Sequence, residues 1–206
     1  MTCRMVSEIE FPAFSGVRCL MMPYIQGDAS SVPDTYARYK RILDSLFVKQ
    51  GDIGFLTIDE AFVPSGKPHR GQRARCARAL HTEAGVDPGR VYKWGGGGWG
   101  ASPHRVTLDR DVKILVGSNL DDSCAVWPVE HENTSDDGDI GYAADQYPYE
   151  DAIFLKAGEV HEIGILTPHE SVPVKQDCFR QFIRIVSSGV HGREEYFTRN
   201  PLLGGQ

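Results

Sequence analysis

The sequence predicts a mainly β fold, a barrel or double-sheet jelly roll with one N-terminal helix packed against its sheet, and three observations lead there. Past Gly51, short runs rich in branched and aromatic residues recur, each bounded by Gly, Pro, Asp or Asn. No long helical periods alternate with those runs, which argues against a doubly wound α/β chain. One amphipathic segment precedes them. At 206 residues, 41% hydrophobic and 24% charged, the chain has the composition of an ordinary soluble domain. It is long enough to bury a core without a metal or disulfide to hold it together.

The helix is predicted over Asp34 to Phe47, where Tyr36, Tyr39, Leu43, Leu46 and Phe47 recur at helical spacing on one face. Pro33 precedes it, Asp34 can serve as its N-cap, and Lys40, Arg41 and Asp44 fall on the opposite face. The predicted strands are Gly54 to Ile58, Val91 to Trp94, Val112 to Val116, Cys124 to Val129, Ala152 to Leu155, Val160 to Leu166 and Phe179 to Val186. Residues 1–50 thus read as a helical support region and 51–206 as the jelly-roll core of one compact domain. Two stretches break the pattern. The glycine run from Gly95 to Gly100 cannot be a strand interior and lacks the Lys-Ser or Lys-Thr of a phosphate-binding loop. Glu132 to Gly141 is polar and glycine-containing, without the acidic spacing of a calcium loop.

Charge and cysteine usage narrow the function classes. Twenty-two Lys and Arg against 28 Asp and Glu give a formal charge of −6 with no basic run, which disfavours a general nucleic-acid surface. The first residues carry Glu8 and Glu10 rather than a basic-then-apolar leader, and no stretch is apolar enough to span a bilayer, so a soluble cytoplasmic chain is expected. The five cysteines are widely spaced and form no CxxC pair, against both a disulfide framework and a thiolate zinc site.

The fragment Ala79-Leu80-His81-Thr82-Glu83 carries the chemistry. On a strand, His81 and Glu83 project from the same face, so an imidazole and a carboxylate can converge on one metal ion while Thr82 points away. A third ligand must come from distant sequence, and His161 and His169 both qualify. Taken alone, an imidazole two residues from a carboxylate is a common chance pattern on an exposed strand. The residues after His169 add to it: Thr167-Pro168-His169-Glu170-Ser171, followed by Phe179-Arg180-Gln181-Phe182-Ile183-Arg184.

This arrangement resembles the iron(II)- and 2-oxoglutarate-dependent oxygenases, double-stranded β-helix proteins of the cupin superfamily. Their jelly-roll strands carry a His-x-Asp or His-x-Glu pair, a distal His and, about ten residues on, a basic residue that grips the far carboxylate of the cosubstrate. The resemblance covers roughly residues 51–186. It implies His81, Glu83 and His169 as catalytic metal ligands, Fe(II) as the metal, and 2-oxoglutarate and dioxygen as cosubstrates. It also implies Arg180, eleven residues beyond His169, as the carboxylate clamp. Strand parity turns Arg180, Phe182 and Arg184 to one side and Phe179 to the other, so Arg184 competes with Arg180 for that role. Glu in place of the commoner Asp lengthens the reach of the carboxylate.

The physical chemistry is consistent with that implication. Two imidazoles and one carboxylate on one face leave three cis positions on an octahedral metal, enough for a bidentate 2-oxo acid and one further small molecule. A guanidinium can meet a planar carboxylate through two parallel hydrogen bonds, which orients it as lysine cannot. Arg70 and Arg73, in the cationic run before His81, are candidates for holding an anionic small-molecule substrate. Trp94, Trp99 and Trp127 are candidate apolar walls of its pocket. Glu170 could orient His169, and His131 between Glu130 and Glu132 offers a lesser metal cluster. Two alternatives stay open. One is a cupin-like metal-dependent isomerase, lyase or dioxygenase that uses no 2-oxo acid. The other is a metal-free jelly roll whose arginines bind a small anion.

Overall fold

The computed structural model describes residues 2–69, 78–95, 105–132 and 138–204. In chain order the strands are β1 (Cys3–Glu8), β2 (Arg18–Ile25), β3 (Ile53–Val63), β4 (Leu80–His81), β5 (Ala84–Val86), β6 (Tyr92–Trp94) and β7 (Thr107–Leu108). They continue as β8 (Lys113–Ser118), β9 (Cys124–Val126), β10 (Ile153–Phe154), β11 (Glu159–Gly164), β12 (His169–Ser171), β13 (Cys178–Val186) and β14 (Val190–His191). They form a six-stranded sheet in the order β1-β11-β8-β13-β3-β2 and two four-stranded sheets, β10-β9-β12-β4 and β14-β7-β6-β5. Every pairing is antiparallel. The chain is therefore mainly β and jelly-roll-like, and each of the seven predicted runs contains an observed strand.

The large sheet is buried on both faces, and this sets the positions of everything else. Along β13, Ile183 and Ile185 turn to one side, where they pack with Leu56 and Ile58 of β3, Leu115 of β8 and Val160 of β11 under the helical segment. Val186, Val116 and Ile114 turn to the other side, into a core shared with Trp94, Leu108, Val126 and Ala84 of the small sheets. Arg180, Phe182 and Arg184 alternate with Ile183 and Ile185, so the same pleat that buries the isoleucines under the helix points the arginines between the sheets. Phe179 has the opposite parity. It is exposed beside Phe14 and Phe62.

The N-terminal segment covers the sheet as expected but is not one regular helix. Asp34–Tyr39 is a 3₁₀ segment, and α1 is confined to Lys40–Ser45. Tyr36 leaves helical geometry, at φ −108° and ψ 18°. Tertiary hydrogen bonds win over local propensity here: the Tyr36 hydroxyl donates to the Arg18 carbonyl, and that of Tyr39 donates to Glu60. Asp34 makes no capping bond and pairs with Lys40 instead, and Phe47, expected on the buried face, is partly exposed. The first fifty residues also supply β1 and β2. Both extend the large sheet, β1 against β11 and β2 against β3. Among the described residues Cys3, Cys19, Cys124 and Cys178 are free thiols, and no helix is long and apolar enough to cross a membrane.

Candidate metal centre

Strand β4 is two residues long, yet it fixes the centre, because its pairing with β12 sets His81 directly opposite His169. The two rings lie 4.0 Å apart, centroid to centroid, at 58°. Immediately after β4 the backbone N–H of Thr82 donates to the Gly138 carbonyl, and its hydroxyl donates to Ala84. Glu83 therefore sits in the turn between β4 and β5, on the side of His81. The bridge partner of His81 on its other edge is Asp139. Ligating atoms of His81, Glu83 and His169 all lie within 4.8 Å of one another.

The tautomers follow from the neighbours. Nδ1 of His81 is 2.9 Å from the Ala79 carbonyl, and Nδ1 of His169 is 2.9 Å from the Thr167 carbonyl. A carbonyl only accepts, so both Nδ1 atoms carry a proton, which leaves Nε2 as the ring atom that could ligate a cation. Nε2 of His169 lies 3.3 Å from Oε1 of the buried Glu83. Such a contact is unfavourable unless a proton or a cation lies between the two. The distance is close to the roughly 3 Å that separates cis ligands bonded at about 2.1 Å to one octahedral ion. The donor set, the tautomers and the spacing fit a divalent metal.

Around this cluster Thr57, Asp59, His69, Cys124, Ser171, Arg180 and Phe182 line a cavity of about 30 Å³ together with the two histidines and Glu170. The competing arginines are sorted by their partners. Arg180, buried in that lining, donates from Nε to Ser118 Oγ at 3.2 Å and from Nη1 to Ser171 Oγ at 2.7 Å. Arg184 grips the chain's own Glu83, with Nη1 at 2.9 and 3.0 Å from its two oxygens. His161, the other candidate for distal ligand, is on β11, where it contacts Cys3 and Glu159. It is not part of the cluster.

Other expected site residues are placed apart from the cavity or outside the described residues. Trp94 is fully buried beneath the Arg184 guanidinium at 4.8 Å, and Trp127 packs with Tyr147 and donates to the Pro148 carbonyl. Neither lines the cavity. Arg70, Arg73 and Trp99 lie outside the described residues. His131 bonds the hydroxyls of Tyr142 and Tyr147 rather than joining a metal cluster. Glu170 does not orient His169; its carboxylate accepts from Arg78 at 2.8 and 2.6 Å and from Tyr149 at 3.1 Å.

Two pairs at the cavity went unread in the sequence. The first is Arg78 with Glu170. The second is His69 with Asp59: the imidazole is 3.3 Å from Asp59 Oδ2, within ion-pair reach but too poorly aligned for a hydrogen bond. Burial pushes the Asp59 carboxyl up, but His69 and Arg18 beside it outweigh that and hold it below its ordinary value. The only signal for His69 was its place in a cationic run, which reads equally well as a solvated loop.

No family profile and no curated protein matches the chain. Two solved structures overlap it loosely. The crystal structure of EvdO2 from Micromonospora carbonacea var. aurantiaca has 14% identity and a TM-score of 0.41, over 91% of this chain and 74% of that one. The same protein complexed with 2-oxoglutarate gives 12% identity and a TM-score of 0.38 over the same shares. Overlaps this loose assign no function. What the described residues establish is a mainly β, jelly-roll-like fold with two histidines and one carboxylate whose ligating atoms lie within 4.8 Å of one another.

Proposed function

We propose that the chain is an iron(II)- and 2-oxoglutarate-dependent oxygenase that hydroxylates a small molecule, with His81, Glu83 and His169 as the metal ligands. The observation that carries the reading is the gathering of two imidazoles and a buried carboxylate, with ligating atoms within 4.8 Å of one another, beside a cavity that Arg180 also lines. The metal, when bound, supplies dioxygen activation coupled to decarboxylation of the 2-oxo acid. One oxygen atom goes to succinate and the other to the substrate.

The rest falls to the protein. The Ala79 and Thr167 carbonyls accept from Nδ1 of each ring and so leave Nε2 as the atom that would ligate. Arg180 would meet the far carboxylate of the cosubstrate, with its guanidinium donating to Ser118 and Ser171. Buried as it is, that cation gains more from an anionic partner than a surface arginine would. Arg70, Arg73 and Trp99, which lie near His81 and Glu83 in sequence, remain candidates for substrate contact.

The test is anaerobic loading with Fe(II) and addition of 2-oxoglutarate. A new visible metal-to-ligand absorption band is expected. Arg180→Gln should weaken 2-oxoglutarate binding at least about tenfold, the cost of removing a buried charged hydrogen-bond partner, while leaving iron affinity near native. His169→Ala should lose the iron itself. Iron binding without any band would turn the reading to a cupin-like metal enzyme that uses no 2-oxo acid. No iron binding would leave the metal-free small-anion protein.

A further inference from the structure

The proposed chemistry leaves Arg184 without a task, although it is the most completely enclosed charge beside the centre. It is 0% exposed and its partner Glu83 is 1% exposed. A single nitrogen, Nη1, donates to both carboxylate oxygens; Nη2 donates to Thr57 Oγ1 at 3.3 Å; and the guanidinium lies 4.8 Å over the Trp94 ring. The arginine is thereby held by β3 on one side and β6 on the other, and it in turn holds a glutamate that belongs to a turn. Burying such a pair is costly unless its geometry is good, and it is weak evidence for stability alone.

Glu83 has one more rotatable bond than an aspartate at the same position would have, and turn backbone restrains it less than strand backbone. Left alone, its carboxylate would populate several rotamers, only some of which present an oxygen to His169. The arginine removes that freedom. With Nη1 on both oxygens, Oε1 is held 3.3 Å from His169 Nε2.

We propose that Arg184 is a positioning residue of the metal centre, which fixes the plane and reach of the Glu83 carboxylate so that a long ligand occupies the place of a short one. This rests on the metal-centre reading above. The arginine acts through Glu83 and touches neither metal nor substrate.

The experiment titrates the metal-free full chain with Co(II), whose ligand-field absorption reports coordination geometry, for the native protein, Arg184→Lys and Arg184→Met. Lysine keeps the charge but not the rigid planar donor. Arg184→Met should bind Co(II) at least about tenfold more weakly, the usual consequence of losing a residue that orients a metal ligand. Arg184→Lys should fall between that variant and the native protein, with shifted absorption bands. Native affinity and native bands in Arg184→Lys would overturn the proposal. Should neither arginine variant fold, Thr57→Val is read instead, since it removes an acceptor of Arg184 with little change of volume; there weaker binding supports the proposal and native affinity with native bands overturns it. If the native protein itself binds no Co(II), the metal-centre reading fails first, a result distinguishable from a native titration that Arg184→Lys reproduces.

Discussion

Glu60 shows at the residue scale how this fold uses a carboxylate that it buries. Its Oε2 accepts from the backbone N–H groups of Ser15 and Gly16 at 2.7 and 2.6 Å, and its Oε1 from Tyr39 and Gln181 at 2.7 and 2.9 Å. Burial pushes the group up, but these donors outweigh it and hold it below its ordinary 4.5. A group lowered in the folded state binds its proton more readily when unfolded, so its contribution is present above about 4.5 and is lost as pH falls through the folded value. Glu60→Gln should therefore cost about 1–3 kcal/mol at neutral pH, with the gap to the native protein narrowing below pH 4.5. Urea unfolding at pH 7 and at pH 3 measures it, and an equal gap at both values would refute the account. The centre itself is a different case, because the balance among His169, Glu83 and Arg184 depends on what lies between the imidazole and the carboxylate.

Elements separate stability from the site. The helical segment packs Tyr39, Ile42 and Leu43 on the sheet face opposite the metal ligands. Leu43→Ala should thus lower stability by about 2–5 kcal/mol, the usual range for a buried leucine, while leaving metal affinity within about twofold of native. The loop at Gly138 should behave in the reverse sense. Gly138 has φ +73°, and a Cβ there would lie 2.4 Å from the Thr82 carbonyl, in the strip that ties Asp139 to His81. Gly138→Ala must push that strip away from β4, and weaker metal binding is expected at a modest loss of melting temperature; calorimetric titration with the metal and a thermal melt check both.

The same contrast explains what the sequence made legible. Strands such as β8 and β13 announce themselves because both of their faces are apolar for most of their length. β1 and β2 do not, since four of the six residues of β1 are exposed and β2 carries a proline and a register shift. The meeting of His81 and Glu83 was legible as parity, whereas His169 came only from the resemblance, with His161 left open beside it. The hold of Arg184 on Glu83 was not legible, because parity turns Arg180 and Arg184 the same way and only the placement of β4 beyond the sheet decides which one meets the turn.

For the molecule as a whole, the three sheets are tied across their common interior by polar contacts as well as by apolar packing. Arg180 reaches Ser171 from the large sheet to a small one, and Arg184 reaches Glu83 at the junction of β4 and β5. A metal at His81, Glu83 and His169 would add a third tie, joining β4, β12 and the turn after β4 at one point. Since the unfolded chain scatters those ligands over 89 positions from 81 to 169, binding belongs to the folded state and stabilises it by mass action. At a hundredfold excess over the dissociation constant the gain is about 2.7 kcal/mol. For a domain of this length that raises the melting temperature by roughly 5–10 °C. A chelator should reverse the shift, and His169→Ala should show none of it while still folding through its apolar core. A melt that rises equally in the native protein and in His169→Ala would place the metal somewhere else on the chain.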